Sequence, residues 1–549
     1  MARLGLWRAA PSRRRLTAAF IPDPAMPRVL ISDDLSPRAV EIFAERGVDT
    51  DVMTGLPPDE LKKIIGKYDG IAVRSATKVT KAVLERAANL KVIGRAGIGV
   101  DNIDVPAATQ RGIVVMNTPF GNSITTAEHA IALMFALARQ IPAADRSTQA
   151  GKWEKSRFMG VELTGKVLGV IGCGNVGSIV ADRAIGLKMK VLAHDPFLSA
   201  ERAVVLGVEK VELADLFARA DFITLHTPLT DVTRNIIDAK AIQRMKPGVR
   251  LINCARGGLI VEEDLQAALD AGHVAGAAID VFPVEPARES PFFGRDDVIA
   301  TPHLGAATTE AQENVALQIA EQMSDYLTTG AVVNALNMPS LSAEEAVRLK
   351  PYMSLAEQLG GFAGQLTTYE LQSVEISYEG HAAELNVKPL TAVILTAILA
   401  PQLDTVNMVN APVICRERNI RVSETRVVEL ANYHTLIRIS VATERHKRTV
   451  AGTLFGARPR LVEIEGIAME AELGEHMLFV RNRDKPGFIG NLGRTLGDAG
   501  INIATFHLGR TEAGEDAVCL IQVDQPLSDD VLECVRAIPN VIQARALGF

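Results

Sequence analysis

Three segments of this chain each close an apolar run with a group able to do chemistry. "INCARGG" carries Arg256, "DVFPVEP" carries Glu285 and "VIATPHLG" carries His303. An imidazole can take a proton from a hydroxyl at neutral pH. A neighbouring carboxylate would fix the ring's tautomer and stabilise the imidazolium, and a guanidinium can grip a substrate carboxylate with two parallel hydrogen bonds. The set suits an alcohol oxidation with His303 as proton acceptor, Glu285 as its orienter and Arg256 as anchor.

Such a reaction needs a hydride acceptor, and "GCGNVG" points to one. Gly172, Gly174 and Gly177 follow the apolar run "KVLGVI" and open a helix, in the spacing that lets backbone approach a pyrophosphate at a helix N-terminus. The next strand, "KVLAHD", ends in Asp195, whose carboxylate would accept hydrogen bonds from a ribose and repel a 2′-phosphate. The expected cofactor is therefore NAD rather than NADP. Thr227 and Asp280 end further strands and are candidate walls of the same cleft.

Those residues must be positioned by a sheet. From Val29 the chain alternates short apolar runs ("RVLIS", "GIAVRS", "KVIGRAG") with amphipathic stretches ("PRAVEIFAERG", "TKAVLERAANL"), the pattern of a parallel sheet with crossover helices. After the helix "TTAEHAIALMFALARQI", a second unit runs from "KVLGVIGCGNVG" to "VIATPH", and the helix "TEAQENVALQIAEQMSDYL" returns to the first. In an open parallel sheet the carboxyl ends of strands border the ligand cleft, so groups far apart in sequence can meet there. A proline- and serine-marked linker, "NALNMPSLS", precedes a middle region of helices and strands that reads as spacer or regulator. The last 75 or so residues read strand, helix, strand, strand, helix, strand, the ferredoxin-like βαββαβ order.

Composition narrows the function classes. At 549 residues the chain needs several domains. Its net charge of −7, without a basic block interleaved with aromatics in the body of the chain, argues against nucleic acid. The longest strictly apolar run, residues 130–138, falls short of the roughly 18 residues of a membrane span. The five cysteines show no metal-ligand spacing, so no metal is expected, and they fit a reducing cytoplasm. Residues 1–25 carry five arginines and no acid before Asp23. They read as translation from an upstream start codon or as a transit peptide, disordered in either case.

The motifs quoted above, with "VIGRAGIGVDNID", "VMNTPFGN", "GKWEKSRFMGVELTGK" and "NRDKPGFIGNLGRTLGDAGINIA", resemble the D-isomer-specific 2-hydroxy acid dehydrogenase family in its long form with a C-terminal ACT domain. The resemblance implies a flavodoxin-like substrate domain (26–124 and 304–335) interrupted by a Rossmann-type NAD domain (125–303). An α+β intervening domain similar to an allosteric substrate-binding domain (336–472) and the ACT domain (473–549) follow. It implies Arg256, Glu285 and His303 as the catalytic set. It adds Asn175, Val176, Ala255 and Ala306, with His303, to the cofactor contacts, and Arg74, Ser75, Arg95, Asn117 and Thr118 to the substrate contacts. Lys155 and Arg157, beside Trp153, look like an arm reaching into a neighbouring subunit of a dimer or tetramer. Asn482, Asp484 and Asn502 resemble an amino-acid effector site, with L-serine as the ligand. Asn175 and Ile98 depart from arginine and threonine frequent in the family. The implied activity is NAD-dependent oxidation of 3-phospho-D-glycerate to 3-phosphohydroxypyruvate, the first step of L-serine biosynthesis. Two alternatives stand beside it: a hydroxypyruvate- or glyoxylate-reductase-like enzyme, and a non-catalytic NAD-sensing protein like the dehydrogenase-related corepressors.

Overall fold

Short runs such as "GIAV" and "VVMN" are buried at every residue, as parallel strands covered on both faces must be. In the computed structural model they belong to the first of four sheets among the described residues, which are 26–367, 370–403, 405–429 and 433–549. The expectations for residues 1–25 lie outside these.

The first sheet is parallel, in the order Asp49–Val52, Arg28–Ile31, Gly70–Val73, Val92–Arg95, Val114–Asn117. This is the flavodoxin-like order. Its first edge strand, "DTDV", has no apolar alternation and is not legible in the sequence; backbone pairing with Arg28–Ile31 holds it. The helix Thr309–Thr329 returns across the chain to pack Ile319 and Met323 against Val92 and Met116.

The second sheet is also parallel and holds Val298–Ala300, Val274–Ile279, Val249–Asn253, Phe222–Leu225, Val167–Ile171, Lys190–His194 and Glu209–Lys210, in that order. The strand order reverses between Val167–Ile171 and Phe222–Leu225, which makes their carboxyl ends the switch point where ligands bind in such sheets.

Beyond the linker, a capping box of Ser342 and Glu345 starts the helix Ala343–Leu366. That helix covers a six-stranded mixed sheet. The tail adopts the expected βαββαβ order, with Phe488–Asp498 and Asp529–Arg536 as its helices and a four-stranded antiparallel sheet. Its helices cover one face. The other face joins the middle unit's core, where Phe479 meets Phe362 edge-on at 5.8 Å. The middle unit in turn touches the first: Val409 enters the first sheet's core, and Asn407 Nδ2 donates to the Gly112 carbonyl at 2.9 Å.

Gly94 sits where the returning helix crosses its strand, and a Cβ there would collide with Met323 and Ile319. Overpacking of this kind costs about 1–3 kcal/mol. Gly94→Ala should therefore lower the midpoint of the first thermal unfolding transition, and trimming the opposing side chain in Gly94→Ala/Met323→Ala should recover part of that loss.

Candidate active site

Six strands of the second sheet carry the candidate residues at or just beyond their carboxyl ends. After Ile171 the chain turns at Gly172 with φ of +88°, where a Cβ would lie 2.6 Å from the His226 carbonyl oxygen. Gly177 packs so closely on Gly172 that a Cβ would collide with its carbonyl oxygen, whereas at Gly174 a Cβ would meet open space. Gly174 caps the helix Asn175–Gly186 with no side-chain hydrogen bond, so the first-turn amides remain for a ligand. Asp195 holds the turn together, accepting from Cys173 N and Phe197 N, both at 2.8 Å. Open backbone, uncapped amides and a strand-end carboxylate fit a dinucleotide pyrophosphate and ribose. Val176 and Thr227 are partly exposed at this rim, and Asn175 Nδ2 donates across to the Pro119 carbonyl at 3.2 Å.

Asp280 follows the strand Val274–Ile279 and is fully buried. Thr301 Oγ1 at 2.6 Å, Leu304 N at 2.7 Å and Gly305 N at 3.0 Å all donate to its carboxylate, and His129 Nε2 lies 3.2 Å away. Burial pushes this carboxyl up, and the hydrogen bonds from His129, Thr301 and Leu304 outweigh it, so its pKa sits below the ordinary value. The strand-end carboxylate expected to wall the cofactor cleft is thus occupied within the protein. It ties down the loop that carries His303, with Ala306 partly exposed just beyond.

His303 has φ of +57°, a left-handed backbone that a non-glycine residue adopts at a cost of about 1–3 kcal/mol. Its backbone N donates to the Asp280 carbonyl at 2.8 Å, and Nδ1 lies 2.7 Å from Glu285 Oε2. The other carboxylate oxygen of Glu285 accepts from Phe282 N at 3.0 Å. Two contacts thus fix the carboxylate, and the carboxylate fixes the ring: Nδ1–H donates and Nε2 keeps its lone pair. Burial pushes Glu285 up, but His303, the Phe282 amide and the charge of Arg256 hold it below its ordinary value of 4.5.

Arg256 turns its Nη1 back to the Ala255 carbonyl at 2.6 Å and offers Nε to Asp101 Oδ2 at 2.9 Å. Asp101 belongs to the first unit, so this ion pair crosses the cleft between the two sheets. No motif flagged Asp101; only the glycine-rich "RAGIGVD" hints at it, because a Cβ at Gly99 would collide with Arg256 and one at Gly97 with Arg95. Arg95 is mostly buried, and among the described residues its Nε has no hydrogen-bond partner. Burial, with Arg256 and Arg74 nearby, lowers its pKa to about 10. Arg74 ends the neighbouring strand beside exposed Ser75, its backbone N donating to Asp33 at 2.6 Å.

Asn117 and Thr118 are buried and face the loop rather than the opening. Asn117 Nδ2 donates to the Ile98 carbonyl at 2.6 Å, and Thr118 Oγ1 accepts from Gly97 N at 2.7 Å. Of the arm, Arg157 binds Glu154 and Asp296 of its own chain, while Trp153 is 87% exposed. In the tail, Asn482 and Asp484 line a cavity of about 550 Å³ with Lys485, Phe488 and Arg510. Asn502 lies apart from it, donating to Asp524 at 2.7 Å.

The model of the D-isomer specific 2-hydroxyacid dehydrogenase NAD-binding domain matches residues 131–305. The D-3-phosphoglycerate dehydrogenase intervening domain matches 348–465, and the ACT domain 476–540. A D-3-phosphoglycerate dehydrogenase of a Synechocystis species is 42% identical over 522 residues, 94% of each chain. The chain belongs to the D-3-phosphoglycerate dehydrogenase family. A family member of the same name from Methanocaldococcus jannaschii is also 42% identical, over 94% of this chain and 98% of its own. The crystal structure of a Paecilomyes thermophila glyoxylate reductase superposes on 57% of this chain and 98% of its own, with 28% identity and a TM-score of 0.54. The chain carries the family's NAD-binding domain at residues 131–305, and NAD is its cofactor. Among the described residues no helix is long and apolar enough to cross a membrane.

A carboxylate whose folded pKa is depressed stabilises the fold above its unfolded pKa and loses that contribution as the pH falls through the folded value. The difference in unfolding midpoint between the native chain and Glu285→Gln should therefore shrink as the pH falls below about 5. A difference that grew as the pH fell below about 5 would contradict the depressed carboxyl of Glu285.

Proposed function

We propose that this chain oxidises 3-phospho-D-glycerate at C2 to 3-phosphohydroxypyruvate with NAD, the first step of L-serine biosynthesis. The observation that carries the reading is one imidazole clamped by Glu285 beside a cleft lined by three arginines. The substrate brings a carboxylate and a phosphate, and Arg74, Arg95 and Arg256 supply matching charge. Burial with like-charged neighbours raises the free energy of that cluster, and an anionic ligand relieves it.

In this reading His303 Nε2 takes the C2 hydroxyl proton as the carbonyl forms, and Glu285 stabilises the resulting imidazolium. The chemistry that NAD supplies when bound is acceptance of the hydride from C2. Arg256 holds the substrate carboxylate and polarises the developing carbonyl, with Asp101 setting the plane of its guanidinium. Arg95, Arg74 and Ser75 receive the phosphate, while Asn117 and Thr118 act through the loop that carries Gly97. Gly172, Gly174, Asn175, Val176 and Gly177 cradle the pyrophosphate, Asp195 the adenosine ribose. Thr227, Ala255 and Ala306 line the rest of the cofactor cleft, and Asp280 positions His303.

The domain limits proposed from the sequence are consistent with this division, and we place the enzyme in the cytoplasm, where its five unpaired cysteines would stay reduced. Exposed Phe135 and Ile141 on the helices Ser123–Ala138 and Ile141–Gln149, with exposed Trp153 and Met159 on the segment that follows, support assembly into a homo-oligomer, a dimer or tetramer. The cavity at Asn482 and Asp484 is the candidate site for an amino-acid effector such as L-serine, with Asn502 in a subsidiary place.

His303→Ala should lower kcat for NADH formation from phosphoglycerate by about 10²–10⁴. Turnover unchanged in that variant would sink the assignment of the base. Arg95→Ala should raise KM for phosphoglycerate by at least ten-fold and leave KM for an unphosphorylated 2-hydroxy acid within two-fold, about 1 kcal/mol of selective binding at that minimum. Equal losses for both substrates would favour the glyoxylate-reductase-like alternative.

A further inference from the structure

The six-stranded sheet of the middle unit has two edges in different surroundings. At one, Ile467–Ala471 lies beside the tail strand Ile503–Arg510, so close that a Cβ on Gly509 would stand 2.8 Å from the Ala468 carbonyl oxygen. At the other, Arg421–Val427 pairs in parallel with Leu371–Gly380 and, among the described residues, with no second strand. All seven of its residues are exposed. Val422 and Val427 stand among them, and Val428, at 63% exposure, follows directly. An open edge presents unpaired backbone N–H and C=O groups and so templates another strand.

The order of side chains selects which strand. Let a second copy run antiparallel about a two-fold axis through Thr425. Thr425 then faces itself, Glu424 faces Arg426, Val422 faces Val428, and Arg421 faces Glu429. Opposite charges meet directly and valine meets valine, the pairs that stabilise an antiparallel ladder. Neighbouring registers lack this. An axis through Glu424 sets Glu424 against itself, one through Arg426 sets Arg426 against itself, and the half-step axes on either side of Thr425 pair no opposite charges. Charges that ordinarily guard an edge here repel other registers and admit one. Glu424 is already oriented, accepting from Thr391 Oγ1 at 2.5 Å through one carboxylate oxygen and keeping the second for a partner.

We propose that Arg421–Val427 pairs antiparallel with the same strand of a second copy of this chain, centred on Thr425, so that two middle-unit sheets become one. The contact is isologous and closes on itself. It rests on the homo-oligomer reading above and adds to it a surface distinct from the exposed segment around Trp153.

Cys534 is the exposed native thiol, so Thr425→Cys and Ser423→Cys are made separately in the Cys534→Ser full chain and oxidised mildly. The axis sets residue 425 against itself and separates residue 423 from its own copy by four residues, about 13 Å, too far for a disulfide. Thr425→Cys should run mainly as a covalent dimer on a non-reducing gel, and Ser423→Cys should link at least ten-fold less. No link at 425, or equal linking at both, overturns the pairing. Independently, Glu424→Arg and Arg426→Glu should each weaken assembly on dilution by ten-fold or more, with the double reversal restoring it because both ion pairs are remade across the axis. A double variant as weak as either single one overturns the register. An assembly that persists while residue 425 fails to link removes this surface alone; a monomer in every variant removes the homo-oligomer reading with it.

Discussion

A buried carboxylate without partners costs several kcal/mol, and Asp280 has no exposure at all. What makes its burial tolerable is the loop after the last strand of the second sheet, which supplies a hydroxyl and two backbone N–H donors from Thr301, Leu304 and Gly305. The dependence runs in both directions. Moving that loop would strand the charge, so the loop stays, and His303 in the middle of it is held in a left-handed backbone that it would not choose alone. The imidazole is aimed by the backbone first and by Glu285 second. A ring placed this way loses little entropy on meeting a ligand, which is the advantage of preorganisation.

The second constraint is charge across the cleft. Both parallel sheets turn their carboxyl ends toward each other, and the Arg256–Asp101 pair bridges them at 2.9 Å. Three arginines in one partly buried pocket repel, and Asp101 and Asp33 offset only part of that repulsion at Arg95. The glycines at 97 and 99 are what let the guanidinium groups come so near the backbone. An anion in this cleft would relieve that repulsion and would meet an Arg95 Nε that has no hydrogen-bond partner among the described residues.

Much of this was legible in the sequence, for definite reasons. A strand buried on both faces must be an apolar run, and a residue that ends it at the sheet's carboxyl edge is exposed to the cleft; Arg256, Glu285 and His303 all sit in that grammar. The glycine spacing of residues 172–177 is similarly forced by close approach of backbone. The roles of Asn117, Thr118 and Asp280 were not legible, because their side chains turn toward loops brought near only by folding, and no periodicity marks such contacts. Asp101 was hidden for the same reason. Asn502 resembled an effector contact, yet its amide pairs with Asp524. The shared core of tail and middle unit left a trace that went unread: "MLFV" at Met477–Val480 is apolar without alternation, which an antiparallel strand shows only when both faces are covered.

That shared core also sets how the tail can matter to the cleft. From the cavity at Asp484, contacts run through the Phe479–Phe362 core to the middle unit, then through Val409 and Asn407 to Gly112, at the turn leading into the strand Val114–Asn117. Asn117 and Thr118 end there and hold the loop on which Arg95 and Arg256 pack. Close-packed cores transmit displacement with little loss. The two units meet at Gly112, whose left-handed φ of +71° admits Asn407 and where any Cβ would collide with it, with Val409 packed into the first core and Asn410 Nδ2 donating to the Gln110 carbonyl beside it. A ligand in the tail could reach the cleft through this junction only by favouring one of two arrangements of it.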